Sequence, residues 1–267
     1  MRVASRMRPE GRGLITAPTY GPEVIMDFSA GTNGAAVDAT TLNASTFGIN
    51  SSAWSVRSPE SNLTYATAAK APTIGTMPAQ SVNPWPGDIG TVGMNLLTDA
   101  TLRMGTFTFP GTPADVVTAS VWIKTDYPSN VAPNFDIFMM YSLVDGNFVN
   151  TILSGNGSSL RFGAEFASGG TDQTGSNVLI SRNTWYLVMM RYSKQADVRA
   201  AVRVYDTSLA QVGNEQSIQP VRPGGVGQLH IGYAGGPGAQ YGYNIMFSNL
   251  TISYESNCRW PLLPLVG

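Results

Sequence analysis

Apolar and polar positions alternate most cleanly between Asn183 and Asp206. Val198, Ala200, Val202 and Val204 fall on one side of an extended chain, and Arg199, Ala201, Arg203 and Tyr205 on the other. A period of two buries one face of a strand and leaves the other in water. The preceding run Asn183-Thr-Trp-Tyr-Leu-Val-Met-Met-Arg-Tyr192 is joined to it by Ser193-Lys-Gln-Ala-Asp197, small and polar residues that suit a hairpin loop. The pattern predicts an antiparallel hairpin in a sheet with one solvated face.

The same reading predicts strands at Glu23–Phe28, Val116–Lys124, Phe135–Leu143, Phe148–Leu153, Leu160–Phe166, Gln228–Tyr233 and Tyr243–Tyr254. Leu160, Phe162, Ala164 and Phe166 alternate with Arg161, Gly163 and Glu165, which gives that strand a core side. In the last strand Ile245 and Phe247 share one parity while Leu250, Ile252 and Tyr254 share the other. A bulge near Ser248-Asn249 would return both sets to one buried face. Residues 29–111 read mostly as loops, with short strands at Trp54–Val56 and Leu102–Phe109. Pro72, Pro78, Pro84 and Pro86 surround Trp85, so residues 70–89 read as an extended excursion or a linker. Trp85 would then either anchor its own loop or stack on a sugar or a partner. No stretch repeats its apolar residues every 3.6 positions over three turns. Many short strands separated by turn residues mean an all-β, antiparallel sandwich or barrel.

Composition sharpens this picture. Only 12% of the 267 residues are charged, against about 25% in ordinary domains, and Ser, Thr, Asn and Gly take their place. Hydroxyls and amides then keep the surface soluble, a pattern shared by extracellular β proteins and virion proteins. A net charge of −1 gives no argument for nucleic acid or a membrane surface. Cys258 is the lone cysteine, which excludes an intramolecular disulfide and a cysteine-based metal cluster. Residues 1–22 read as an arm carrying Arg2, Arg6, Arg8 and Arg12, broken by Gly and Pro. No apolar run follows those arginines, so neither a secretory signal nor a membrane span is expected. The tail 258–267 is apolar and proline-rich, and Trp260, Leu262, Leu263 and Leu265 must pack on their own domain or on a neighbouring chain. The expected organisation is an arm (1–22), a sandwich (23–257) with a loop-rich insertion at about 29–112, and the tail (258–267).

Five segments resemble laminin-G-like domains of the concanavalin A-like superfamily. Thr118-Ala-Ser-Val-Trp-Ile-Lys124 is similar to that family's "SAWVK" strand, and Asn183-Thr-Trp-Tyr-Leu-Val-Met-Met-Arg-Tyr192 to its "TWYHVA" strand. Val202-Arg-Val-Tyr-Asp206 stands where the family writes "LYVDG", Gln228-Leu-His-Ile-Gly232 where it writes "LRIG", and Phe247-Ser-Asn-Leu-Thr-Ile-Ser253 resembles "GxIDDVRIY". The resemblance covers about residues 115–255 and implies a concanavalin A-like jelly roll, often with a glycan or protein site on a concave face or rim. Fold does not settle function.

The chemistry is sparse. Glycoside hydrolysis needs two carboxylates about 5–10 Å apart, and the "ExDxxE" strand of laminarinase-like hydrolases has no counterpart; Glu165 is alone on its strand, and Glu215 and Glu255 lie near turns. Alginate-lyase-like enzymes use a "QIH" strand with a nearby Tyr. Gln228-Leu-His230 with Tyr241 and Tyr243 approaches this, but the "YFKxGxYxQ" strand is missing and Arg57-Ser-Pro-Glu60 is a poor match for the family's acidic Arg element. His230 reads as a strand histidine with an ordinary hydrogen bond. Laminin-G-like domains often carry Ca²⁺ at the rim, and Asp145-Gly-Asn147 and Asp172 sit in suitable loops, though such residues are also plain turn chemistry. No other cofactor is expected. Tyr233, Tyr241 and Tyr243 are candidate glycan or partner contacts together with Trp85; Arg2, Arg6, Arg8, Arg12, Trp260, Leu262, Leu263 and Leu265 are candidate assembly contacts. The leading expectation is a non-enzymatic structural or binding protein of a bacteriophage virion (capsid decoration, cement or tail-associated), partnered by other virion proteins and by itself as a homo-oligomer. A stand-alone carbohydrate-binding module, extracellular by another route, and an enzyme of the same fold are the alternatives.

Overall fold

The computed structural model describes residues 23–48, 54–57, 63–71, 92–97, 103–109, 114–130, 134–142, 148–155, 158–168, 171–174, 178–194, 200–218, 224–233, 243–254, 258 and 260–261. Strands run in the order β1 (Glu23–Met26), β2 (Thr46–Gly48), β3 (Trp54–Arg57), β4 (Leu63–Ala66), β5 (Gly93–Leu97), β6 (Arg103–Thr108), β7 (Val116–Thr125), β8 (Asn134–Tyr141) and β9 (Phe148–Gly155). They continue with β10 (Leu160–Ser168), β11 (Thr171–Thr174), β12 (Val178–Ile180), β13 (Tyr186–Ser193), β14 (Ala200–Tyr205), β15 (Gln216–Ile218), β16 (Gln228–Tyr233) and β17 (Asn244–Tyr254). Among the described residues they form two antiparallel sheets. A nine-stranded sheet is ordered β15-β14-β13-β7-β17-β1-β2, with β5 also on β17 and β4 on β5. An eight-stranded sheet is ordered β11-β10-β9-β8-β16-β6-β3, with β12 also on β10. This is the expected all-β sandwich.

Alternation builds the core between the sheets. Val117, Ala119, Val121 and Ile123 of β7, Val188 and Met190 of β13, and Val202 and Val204 of β14 face Phe162, Ala164 and Phe166 of β10 and Leu229 and Ile231 of β16 in one buried cluster. Edge-to-face rings cross the gap: Phe162 meets Tyr186 at 6.0 Å, and Phe109 meets Tyr254 at 5.3 Å. In β17 the register slips between Ser248 and Thr251, and Asn249 takes φ 51°. That is the bulge expected from the sequence. It places Ile245, Phe247, Leu250, Ile252 and Tyr254 all in the same core.

The expected solvated face of the hairpin is a different matter. The pairing is as predicted, from Leu187 opposite Tyr205 to Arg191 opposite Ala201. However, the side of β13 and β14 turned away from the core carries a second apolar cluster of Ala71, Trp122, Trp185, Leu187, Met189 and Tyr205. Trp260 packs on it, with Arg203 over the indole ring at 4.9 Å and Arg191 at 6.0 Å. Arg203 also donates to Glu215 Oε2 at 2.5 Å. Both faces of this sheet are therefore apolar at its centre, and an arginine on the outer face serves as the polar surface of a tryptophan stack. At Trp260 the tail lies on its own domain.

Residues 29–112, read mostly as loops, supply strands to both sheets and a short helix, α1 (Ala39–Ala44), capped by Asp38 through Thr41 N at 2.8 Å. β2 and β4 span three and four residues, too few for a period of two to stand out from the sequence.

A buried phenol and a half-buried thiol contribute to the response to alkali. Burial pushes the Cys258 thiol from its ordinary 9.0 to about 11 and the Tyr65 phenol from 10.0 to about 12. The Cys258 thiol donates to Ser253 O at 3.0 Å. An unfolded chain ionises both groups first, so it holds fewer protons than the folded one across this window. Stability should be unaffected by these groups below pH about 9 and should fall as pH rises through about 11 and 12. Denaturant midpoints measured against pH would show it, and Cys258→Ser should flatten the lower part of the decline.

Candidate functional site

The outer face of the eight-stranded sheet is polar where the nine-stranded one is apolar. Because Phe162, Ala164 and Phe166 turn inward, Arg161 and Glu165 of β10 turn outward; the same alternation turns to this side Asn150 and Ile152 of β9, Met139 and Tyr141 of β8, Gln228 and His230 of β16, and Thr106 and Thr108 of β6. The ladder then aligns them across strands. Glu165 stands opposite Asn150, Asn150 opposite Met139, Met139 opposite His230, His230 opposite Thr106, and Thr106 opposite Ser55. One rung along, Tyr141, Gln228 and Thr108 are neighbours. With strands about 4.8 Å apart, the strip from β10 to β3 is roughly 24 Å long.

Its depth is uneven. Ser55 and Thr108 are exposed, and Tyr141, Gln228, Met139, Asp136 and Glu165 are half-buried. His230 and Thr106 are recessed, and Asn150 is fully buried. His230 Nε2 lies 3.1 Å from Gln228 Oε1, the ordinary strand contact that the sequence suggests. The Tyr141 ring sits beside the imidazole at 6.1 Å, tilted by 38°. Toward β10, Asn150 Nδ2 donates to Asp136 Oδ1 at 2.6 Å. Burial raises the Asp136 carboxyl above its usual range, and the Asn150 hydrogen bond offsets part of that rise.

The strip brings together His230, Gln228 and Glu165, all weighed from the sequence, with Tyr141, Asn150 and Asp136, which were not. Strand alternation marks Asn150 and Tyr141 as outward-facing, but only cross-strand pairing reveals that they share a face. The other candidates lie elsewhere. Tyr243 packs against Tyr127 with ring centroids 4.9 Å apart, tilted by 52°. Trp260 covers the opposite sheet. Tyr233 closes β16 and Asp172 lies in β11. Trp85, Tyr241, Asp145–Asn147, Arg2, Arg6, Arg8, Arg12, Leu262, Leu263 and Leu265 lie outside the described residues. Among the described residues no three His, Cys, Asp or Glu side chains gather as a metal site, and no helix is long and apolar enough to cross a membrane.

No family model and no curated protein matches the chain. Solved structures do. The CBM2 module of the Dit protein of Lactobacillus casei BL23 phage J-1 aligns with a TM-score of 0.50 and 10% identity, covering 91% of this chain and 99% of that one. A protein of unknown function from Shewanella oneidensis MR-1 aligns with a TM-score of 0.48 and 14% identity, covering 97% and 99%. At such identities the likeness is one of fold, the antiparallel β-sandwich.

Proposed function

We propose that this chain is a non-catalytic binding module that takes a saccharide along the outer face of its eight-stranded sheet. The carrying observation is the strip itself. Amide, imidazole, hydroxyl and carboxylate groups are lined up by the ladder beside the half-buried Tyr141 ring. Sugars need directed hydrogen bonds to their hydroxyls and an apolar surface for their C–H faces, and a rigid sheet supplies both without ordering a loop. The setting we infer is a bacteriophage particle. Low charge and hydroxyl-rich composition support it, and the fold likeness to a phage Dit module over nearly its full length is in keeping with it.

Titration of the full chain against immobilised and soluble oligosaccharides is the test. Tyr141→Ala and His230→Ala should each weaken binding by roughly ten-fold or more, equal to about 1.4 kcal/mol or more, in variants that keep the far-UV circular dichroism of the parent. A chain that binds no saccharide, or variants that bind as well as the parent, would remove this reading. The catalytic alternative is favoured by one observation, the meeting of Gln228, His230 and Tyr141 on one face. It would require an unsaturated product from a polyuronate.

A further inference from the structure

One rung of the polar face stays accessible from β9 to β6. Val149 and Leu153 of β9 lie in the core, so Phe148 turns to the outer face. It stands opposite Tyr141, Tyr141 opposite Gln228, and Gln228 opposite Thr108. Phe148, Tyr141 and Gln228 are half-buried and Thr108 is exposed. The neighbouring rung instead sinks to the fully buried Asn150, with His230 at 9% and Thr106 at 8% exposure. A molecule lying across the strands therefore meets the Phe148 rung and passes over its neighbour. Along this rung the groups run from apolar to polar. Two aromatic side chains come first, on facing positions of adjacent strands. Gln228 comes next; its Oε1 can only accept, and it does so from His230 Nε2 at 3.1 Å, which leaves the NH₂ group as a donor beside Tyr141. The Thr108 hydroxyl follows, and three strand spacings place it roughly 14 Å from Phe148.

Resting on the saccharide-binding reading, we infer that this rung takes an oligosaccharide of two or more pyranose rings in two subsites. One ring lays its C–H face on Phe148 and Tyr141, which makes Phe148 a binding residue. The following rings run across β16 and β6, where Gln228 Nε2 and the Thr108 hydroxyl bond their hydroxyls. A monosaccharide on the aromatic pair does not span the distance to Thr108 and is held at one subsite alone. Linking a second contact to the first makes it intramolecular, so affinity grows with chain length.

The experiment titrates the full chain by calorimetry with mono-, di- and trisaccharides of the glucan, mannan, galactan, chitin and alginate series. Within a series that binds, the trisaccharide should bind about ten-fold or more tightly than the monosaccharide. Phe148→Ala and Phe148→Leu, the second keeping most of the volume without the ring, should weaken every length by about ten-fold. Thr108→Val keeps the shape and removes the hydroxyl, so it should weaken trisaccharides several-fold and shorter sugars less. In the NMR spectrum of the complex, sugar C–H protons should move upfield, as protons over an aromatic face do, and move less with Phe148→Leu. Affinity independent of length, Phe148 variants that bind as well as the parent, or Thr108→Val acting equally or not at all across lengths would overturn the inference while leaving saccharide binding in place. A chain that binds no series at any length overturns both readings.

Discussion

Replacing Phe107 by alanine should cost about 3–5 kcal/mol of stability, the range for emptying a fully buried aromatic site. Phe107 is completely buried, and its ring stands edge-to-face with Trp54 at 5.4 Å and Phe109 at 5.1 Å. Phe109 in turn meets Tyr254 of the other sheet at 5.3 Å. This chain of rings runs from β3 and β6 across to β17, so the loss includes two aromatic pairs, each about 0.5–1.5 kcal/mol beyond simple burial. For a domain of this size the melting temperature should drop by about 10 °C. Phe107→Leu should keep much of the volume and lose less. Urea midpoints for the three proteins decide it, and a loss below about 1 kcal/mol for the alanine variant would contradict this account.

Gly31→Ala is expected to be nearly as damaging, although it adds a single methyl group. A Cβ at Gly31 would fall within the ring of Tyr65, against Cδ1, Cγ and Cε1. That ring cannot swing aside cheaply. It is fully buried, its hydroxyl donates to Thr41 Oγ1 at 2.6 Å, and the backbone carbonyl of Tyr65 accepts from Gly34 N at 2.7 Å. Overpacking a rigid site costs up to about 3 kcal/mol, and here the upper end applies because the obstacle is an aromatic ring tied at both ends. Combining Gly31→Ala with Tyr65→Leu should give a loss smaller than the sum of the two, by about 1–3 kcal/mol. Strict additivity in denaturation would show that the two sites do not press on each other.

The strands with enough alternating residues were legible from the sequence, and the reason shows in β17. Five apolar residues in two parities could all be buried only with an irregularity at Ser248-Asn249, and one is there. β2, β4 and β5 were not legible because their partners, not their own three to five residues, hold them in place. The outward face of the hairpin was misjudged because its cover comes from far along the chain. Arg203 and Tyr205 look solvated until Trp260 is laid across them. The polar strip was half legible. Gln228 and His230 sit two apart on one strand and are visible as a pair, whereas Asp136 and Asn150 meet only through the pairing of β8 with β9.

The position of β17 has a consequence for how the molecule is made. Among the described strands, β1 with β2, and β5 with β4, reach β7 and the hairpin only through β17, which follows all of them in sequence. As the chain leaves the ribosome, the nine-stranded sheet therefore exists as separate pieces, with one long side of β7 unpaired. Only the arrival of residues 244–254 joins them. Closure depends on contacts between strands far apart in sequence, such as Val24 with Ile252, the kind that form slowly. β17 acts as a keystone, and quality control acting on the nascent protein faces open sheet edges until it is set.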